Sequence, residues 1–203
     1  MDQITLEYLG HSCFAMTCGD YRTILDPYAD GSVPGWPLLR EKANAAFCSH
    51  EHGDHFGAEN VEILPGTAPY TVTELLTDHD EQGGTQRGKN MVRIFEFAGL
   101  RLAHMGDIGR PLTEYERSIL MDVDCMLIPV GGFFTIDAAQ AKEMADSVHA
   151  RVVIPMHFRK DSCGYGVIAP VEDFLRLYPS HNEGTVLELT KETPAQVLLL
   201  RSR

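Results

Sequence analysis

Short apolar runs, each broken by glycine or a polar turn, dominate the first half of the chain. Ile4 to Leu9, Cys13 to Thr17 and Arg22 to Asp26 alternate apolar with polar positions, separated by Gly10 and by Gly19-Asp20, a pattern that predicts a β-meander. Tyr28 to Pro37 carries two prolines, two glycines and the tryptophan Trp36, and reads as an irregular loop packed over something. Ala45 to Ser49 is a buried-strand candidate, and the stretch after it, His50 to His55, is too polar to continue it. Further strands are predicted over Ala68 to Thr73, Met91 to Phe97, Leu100 to His104, Cys125 to Pro129, Val152 to Pro155, Thr185 to Leu189 and Gln196 to Leu200. Helices have explicit start signals: Thr113 with Glu116 before Tyr115 to Met121, and Asp137 with Gln140 before a face of Ala138, Ala141, Met144, Ala145 and Val148. A third, Val171 to Leu177, follows Pro170. Strands first and strand–helix alternation later predict a mixed α/β sandwich, sheets inside and helices outside. No repeat, low-complexity tract or linker interrupts it, so residues 1–203 are expected to form a single domain.

Composition narrows the function. Seventeen lysines and arginines stand against 29 aspartates and glutamates, and the formal charge of −12 repels nucleic acid. The opening MDQITLEYLG has neither a basic start nor an apolar run, and no apolar stretch approaches the roughly 20 residues that span a bilayer. A cytoplasmic location without membrane contact is the expectation. Cys13, Cys18, Cys48, Cys125 and Cys163 form no CxxC pair and are expected to be reduced, mostly buried thiols.

The candidate chemistry lies in the histidines. Three of the nine fall within His50-Glu51-His52-Gly53-Asp54-His55. Imidazoles so close repel one another when protonated, and a divalent metal supplies a shared reason for them: neutral imidazole nitrogen and carboxylate oxygen suit zinc, manganese or iron. Residues two apart leaving a strand point the same way, so His50 and His52 can chelate one ion, while Asp54 and His55, past the Gly53 bend, can reach a second. Other positions stay open on the residues alone. His79, in Thr77-Asp78-His79-Asp80-Glu81, reads equally as a solvated loop histidine, and the spacing around Asp107 favours an ordinary Gly-Asp turn. His157 closes the apolar run Val152 to Met156 at a strand's carboxyl end, where ligands gather. His149 and His181 read as surface residues.

The string Ser49-His50-Glu51-His52-Gly53-Asp54-His55 resembles the HxHxDH signature of the metallo-β-lactamase fold superfamily. Within it the chain is similar to the small metal-dependent hydrolases related to the ascorbate-6-phosphate lactonase group. The likeness runs through Leu9-Gly10-His11-Ser12-Cys13-Phe14, Ile24-Leu25-Asp26-Pro27, His79-Asp80, Arg87-Gly88-Lys89-Asn90, His104-Met105-Gly106-Asp107, Pro129-Val130-Gly131-Gly132, Thr135-Ile136-Asp137-Ala138 and Ile154-Pro155-Met156-His157, in order. It implies a four-layer αββα sandwich with a metal site in a groove at one edge of the sheets. Carried over residue by residue, it implies two divalent ions, zinc foremost and manganese or iron as alternatives: His50, His52 and His79 on the first, Asp54, His55 and His157 on the second, and Asp107 bridging both. His104 competes with His79 for the third position on the first metal, with His79 ahead on the resemblance; otherwise His104 is a supporting or substrate-side residue. His11, in a turn after Gly10, either orients a ligand or substrate or is a structural turn histidine. Asp26 matches a supporting acid that fixes a ligand histidine's tautomer. Phe158 departs from the family, where an aromatic hydroxyl commonly follows the last histidine.

The expected activity is hydrolysis of a small ester, lactone or phosphodiester by a hydroxide shared between two metals, with Asp107 and Asp54 in the machinery and His104 and His11 beside it. Arg87, Lys89 and Arg159 lie near ligand motifs in an otherwise acidic chain; if they converge, the substrate is anionic, and if not they are ordinary exposed cations. The alternatives are a phosphodiesterase or nuclease of the same fold, disfavoured by charge, and a metal-binding or sensing protein without turnover. The shortness of the chain leaves room for the neighbouring subunit of a homo-oligomer to complete the substrate cover.

Overall fold

A computed structural model describes residues 2–202. The strands in chain order are β1 (Ile4–Gly10), β2 (Cys13–Cys18), β3 (Tyr21–Leu25), β4 (Glu41–Ala43), β5 (Ala45–Phe47), β6 (Val61–Ile63), β7 (Thr71–Asp78), β8 (Lys89–Phe97), β9 (Leu100–His104), β10 (Cys125–Pro129), β11 (Val152–Met156), β12 (Asn182–Gly184), β13 (Val186–Leu189) and β14 (Gln196–Leu200). The helices are α1 (Glu114–Leu120), α2 (Ala138–Ser147) and α3 (Val171–Leu175).

Two sheets face each other, a five-stranded one in the order β13-β1-β2-β3-β5 and a seven-stranded one in the order β12-β14-β11-β10-β9-β8-β7. Ile4, Leu6, Phe14 and Met16 of the first share one buried core with Val92, Ile94, Leu102, Leu127 and Ile154 of the second. Strands β10 and β11 are buried at every position, as parallel strands covered on both faces require, which is why their sequences read as unbroken apolar runs. The other face of β2 and β3, through Cys13, Ala15 and Ile24, packs with Tyr28, Val33, Leu39, Ala43 and Val61. A wrapped loop and the β4–β6 ribbon thus form the outer layer on that side, with a 3-10 turn over Ala58–Asn60. Trp36 in that loop lies against Gly10, where a Cβ would come within 2.5 Å of the indole, so the residue before His11 has to be glycine.

Strand direction places the site. In the first sheet β1 is antiparallel to β2 and β2 to β3, while β3 runs parallel to β5, so the carboxyl ends of β1 and β5 share an edge. In the second sheet β9, β10 and β11 are parallel and β7 returns through β8 to the same direction, aligning the ends of β7, β9 and β11. The residues that follow those five strands are His11, Cys48 leading into the histidine cluster, His79, Met105 leading to Asp107, and His157.

Four strands depart from the sequence expectation, β7 by its bounds and β4, β6 and β12 by being present at all. The pattern predicted Ala68 to Thr73, whereas β7 begins at Thr71, beyond Pro69 which has no amide to donate, and continues to Asp78. Its polar residues are tolerated because it is a sheet edge paired only with β8, where Glu74 meets Arg93 at 2.8 Å and Asp78 meets Lys89 across the ladder. The short strands β4, β6 and β12 carry no alternation long enough to announce them.

Both predicted capping boxes are present, from Thr113 with Glu116 and from Asp137 with Gln140. Glu116 is buried and also accepts two hydrogen bonds from the Arg110 guanidinium, at 2.7 and 2.8 Å. Burial would raise its carboxyl, but Arg110 and the Thr113 amide outweigh that and lower it. Glu116→Ala is expected to cost about 1–2 kcal/mol in thermal or denaturant unfolding. Because the folded-state pKa is the lower one, this contribution is present above the ordinary glutamate range and fades as pH falls through the folded value; wild type and variant should converge in acid.

Candidate metal centre

Four imidazoles surround the Asp107 carboxylate. Its Oδ1 lies 3.1 Å from His55 Nε2, and its Oδ2 lies 3.2 Å from His157 Nε2, 3.3 Å from His79 Nε2 and 3.9 Å from His50 Nε2. The side chains fall into overlapping sets whose donor atoms lie within 4.8 Å of one another: His50, His52 and His79; His11, Asp54, His55 and His157; and His50, His55 and Asp107. Asp54 Oδ2 stands 3.1 Å from His11 Nε2, 3.6 Å from His55 Nε2 and 3.8 Å from His157 Nε2. Except for the exposed His52, every one of these residues is at most 9% exposed.

The chain holds them rigidly. Asp107 is reached through Gly106, at φ 54°, where a Cβ would collide with Asn90 Oδ1 at 2.1 Å. Asn90 Oδ1 accepts from the Asp107 amide at 2.8 Å while its Nδ2 donates to Met105 O and to Thr77 Oγ1. Asp26 Oδ2 accepts from His55 Nδ1 at 2.6 Å and from Ser49 Oγ at 2.6 Å, and Ser49 Oγ lies 2.9 Å from His50 Nδ1. With their Nδ1 atoms engaged outward, His55 and His50 both turn Nε2 toward Asp107.

Charge is distributed unevenly over the cluster. Burial would raise Asp107, but the His157 and His55 imidazoles hold it well below the carboxylate range. Burial opposes protonation of His157 too, yet Asp107 and Asp54 bring it up to about 9, and Asp107 with Asp26 raises His55 strongly. His50, desolvated and beside His55, falls to about 3, and His11, desolvated beside His157, to about 4. Asp26, whose burial is outweighed by His104 and His55, sits at about 2.

The donor set fits divalent metal ions. His50 Nε2, His55 Nε2, His157 Nε2 and Asp107 Oδ1 are buried without a hydrogen-bond partner, all converging on the same space. Buried polar atoms are rarely left so, and four facing one another are what cations would satisfy.

The comparisons with known proteins agree. Residues 5–157, reaching from β1 to the last histidine of the cluster, match the model of the β-lactamase superfamily domain. The chain belongs to that family. It is 29% identical to a "UPF0173 metal-dependent hydrolase" of Hyperthermus butylicus over 190 residues, covering 75% of this chain and 82% of that protein. It is 24% identical to one of Korarchaeum cryptofilum over 187 residues, covering 77% and 83%. A Thermotoga maritima structure, described provisionally as a Zn-dependent hydrolase of the metallo-β-lactamase superfamily, superposes with a TM-score of 0.74 at 28% identity, covering 98% of this chain and all of that one. The sandwich described above is thus the metallo-β-lactamase fold.

In this β-lactamase superfamily member, His50, His52, Asp54, His55, His79, Asp107 and His157 are brought together, with His11 against Asp54. His104 is not among them. Its Nδ1 accepts from the Gly106 amide at 3.2 Å and its Nε2 faces Ser12 O at 3.0 Å, joining β9 to the turn after β1. Sequence reasoning did not single out Ser49 or Asn90, which orient the clustered side chains by hydrogen bonds without joining the cluster; a serine directly before the first histidine was the available hint. Tyr165, lining the cleft over the cluster, had no sequence signal at all.

Replacing Asp26 by asparagine removes the charge that helps protonate His55. NMR titration of the metal-free variant is expected to show the His55 pKa moved down; an unchanged titration would break the link between the two residues.

Proposed function

We propose that this family member hydrolyses a small ester, lactone or phosphodiester using two divalent metal ions. His50, His52 and His79 would hold one, Asp54, His55 and His157 the other, and Asp107 would touch both. The observation that carries this reading is the Asp107 carboxylate, 3.1 to 3.3 Å from imidazoles of both groups. The relatives named metal-dependent hydrolases support the chemistry. Zinc suits this mixed imidazole and carboxylate set; iron also takes imidazole, and manganese is drawn by the carboxylates. Bound there, a pair of such ions supplies Lewis acidity and brings the pKa of water toward neutrality.

The chain's own part is positioning. Asp107 and Asp54 remain ionised at neutral pH, both held below the carboxylate range, and His11 Nε2, 3.1 Å from Asp54 Oδ2, fixes the carboxylate's rotation. Phe134 and Tyr165, with ring centroids 5.7 Å apart, form a wall over the cleft. Burial and the two carboxylates raise the Tyr165 phenol, so it stays a donor, given in this structure to Ser32 O at 2.8 Å. Neither cysteine near the motifs is an activated nucleophile: Cys13 is fully buried, and burial pushes the Cys48 thiol up to about 11. The cleft volume of about 540 Å³ suits a small molecule. The acidic chain offers no basic track for a nucleic acid.

Elemental analysis of purified protein is expected to give two ions per chain. Asp107→Ala and His55→Ala should retain the fold by circular dichroism and lose ester or phosphodiester hydrolysis by at least about a hundredfold, beyond what outer residues of metal sites usually cost. Near-wild-type rates in either variant would overturn the two-metal reading.

His79→Ala and His104→Gln separate ligand from scaffold. The first should lower metal content, and the second should keep the metal while reducing stability by about 1–3 kcal/mol, the cost of a disturbed buried hydrogen bond. Metal loss confined to His104→Gln would exchange their roles.

A further inference from the structure

The three cations near the ligand motifs have different fates. Lys89 is engaged by the Asp78 carboxylate and Gly83 O, and Arg159 turns its Nε to Ile168 O at 3.3 Å, away from the cleft lining. Arg87 lines the cleft, together with His52, Asp54, His79, Phe134 and Tyr165. Its guanidinium carbon stands 5.7 Å from the centre of the Phe134 ring. Among the described residues it has no carboxylate partner, whereas Arg22, Arg93, Arg110 and Arg151 each have one.

We propose that Arg87, stacked on Phe134, determines specificity by receiving an oxyanion, carboxylate or phosphate, that the substrate carries away from its scissile bond. The identity of the scissile bond rests on the hydrolase reading above; the anion subsite itself does not.

The loop carrying Arg87 is built for fixed presentation. The Asp80 carboxylate, next to His79, accepts four backbone amides: Gln82 at 2.8 Å, Gly84 at 3.0 Å, Gln86 at 2.9 Å and Arg87 itself at 2.8 Å. Gly88 N donates back to Gly84 O at 3.0 Å, and His79 N to Gly88 O at 3.1 Å, closing the loop onto the ligand histidine. The Phe134 ring touches both sides: 5.7 Å from the guanidinium, it is also 6.5 Å from the His157 ring and 5.7 Å from Tyr165. An anion on Arg87 is thereby separated from the metal ligands by one aromatic side chain. Chemistry favours the same assignment. A guanidinium lying on an aromatic face keeps its fork of N–H donors free, and that fork matches the paired oxygens of a carboxylate or phosphate. A chain of formal charge −12 repels anions in general, so a cation left unpaired in the cleft singles out one place where an anion is received.

The test compares two esters of equal chain length on metal-loaded protein, p-nitrophenyl hexanoate and mono-p-nitrophenyl adipate, the second ending in a carboxylate. Wild type is expected to favour the adipate ester by about tenfold or more in kcat/KM, mostly through KM, the scale of a charge-assisted hydrogen bond. In Arg87→Gln the ratio should collapse to about one. Arg87→Lys should keep part of it, having the charge without the fork. Equal losses on both esters, or an unchanged ratio in Arg87→Gln, would overturn the proposal. A second arm needs no turnover: calorimetric titration of adipate and of ethyl phosphate into wild type and Arg87→Gln. Binding lost in the variant identifies which oxyanion the subsite takes, and binding of neither that depends on Arg87 overturns the subsite. Were neither ester hydrolysed by wild type, the hydrolase reading would be the part that fails, and the titration alone would decide the anion subsite.

Discussion

A carboxylate buried among four imidazoles is the constraint to which the rest of the molecule answers. Asp107 is 1% exposed, and leaving it there unpaired would cost several kcal/mol. It is tolerable because protonated imidazole reaches it from two separate stretches of chain, His55 after β5 and His157 after β11, while His50 and His79 complete the ring of nitrogens around it. Those segments belong to both sheets, so the centre forms only when the sandwich has closed. Site and core are therefore coupled: the packing of Phe14 and Met16 against Ile94 and Leu102 brings Asp54 to Asp107. Metal ions satisfying the orphaned nitrogens would in turn bind the folded chain alone and stabilise it.

Backbone strain gathers at the same edge. His11, Asp26 and His157 all have left-handed backbones, with φ of 55°, 46° and 52°, at a cost of about 1–3 kcal/mol each. Each is over-determined by hydrogen bonds. His157 N donates to His11 O at 3.0 Å, the Tyr8 hydroxyl donates to the same carbonyl, and Asp26 N donates to Phe47 O at 2.8 Å. A strand leaving its sheet in an ordinary extended conformation would carry these side chains on past the edge. The left-handed turn folds them back, which accounts for non-glycine residues tolerating that conformation at three positions of the cluster and its support.

Much of this was legible from residues alone, and the boundary of legibility is physical. The apolar runs of β9, β10 and β11 and the two capping boxes announce themselves because periodicity and local hydrogen bonding are properties of neighbours in sequence. The HEHGDH cluster was legible for the same reason. Asp107 and His79 were not, because what distinguishes a ligand from a turn residue is the approach of other strands, and only the family resemblance could stand in for that. Strand β7 was misjudged because its edge position, set by pairing with β8, lets it carry Glu74 and Asp78. Asn90 and Ser49 matter through hydrogen bonds to residues brought close by the fold, and Tyr165 reaches the cleft from a loop more than a hundred residues after Ser32, to which it is bonded.

The division of labour between strand ends and loops explains why the chemistry is easier to derive than the substrate. The clustered side chains sit one to eight residues beyond strand ends, His79 and His157 directly after β7 and β11, Asp107 three residues after β9 and His50 to His55 within eight residues of β5, so the sheets place them. The walls of the cleft come instead from loops with little regular structure: Arg87 from the segment pinned by Asp80, Phe134 from the turn after β10, Tyr165 from the segment after β11. Side chains at these positions can be exchanged while the strand ends stay in place, so on the proposed function reaction class and substrate choice would be set by different side chains. The electrostatics follow the same split. Carboxylates and imidazoles nearly balance within the cluster, while the surface is strongly acidic and Arg87 is left uncompensated between them. An anion is thus repelled over most of the molecule and received in one place, which makes the loop after His79, and not the ligand set, the element on which discrimination between substrates turns.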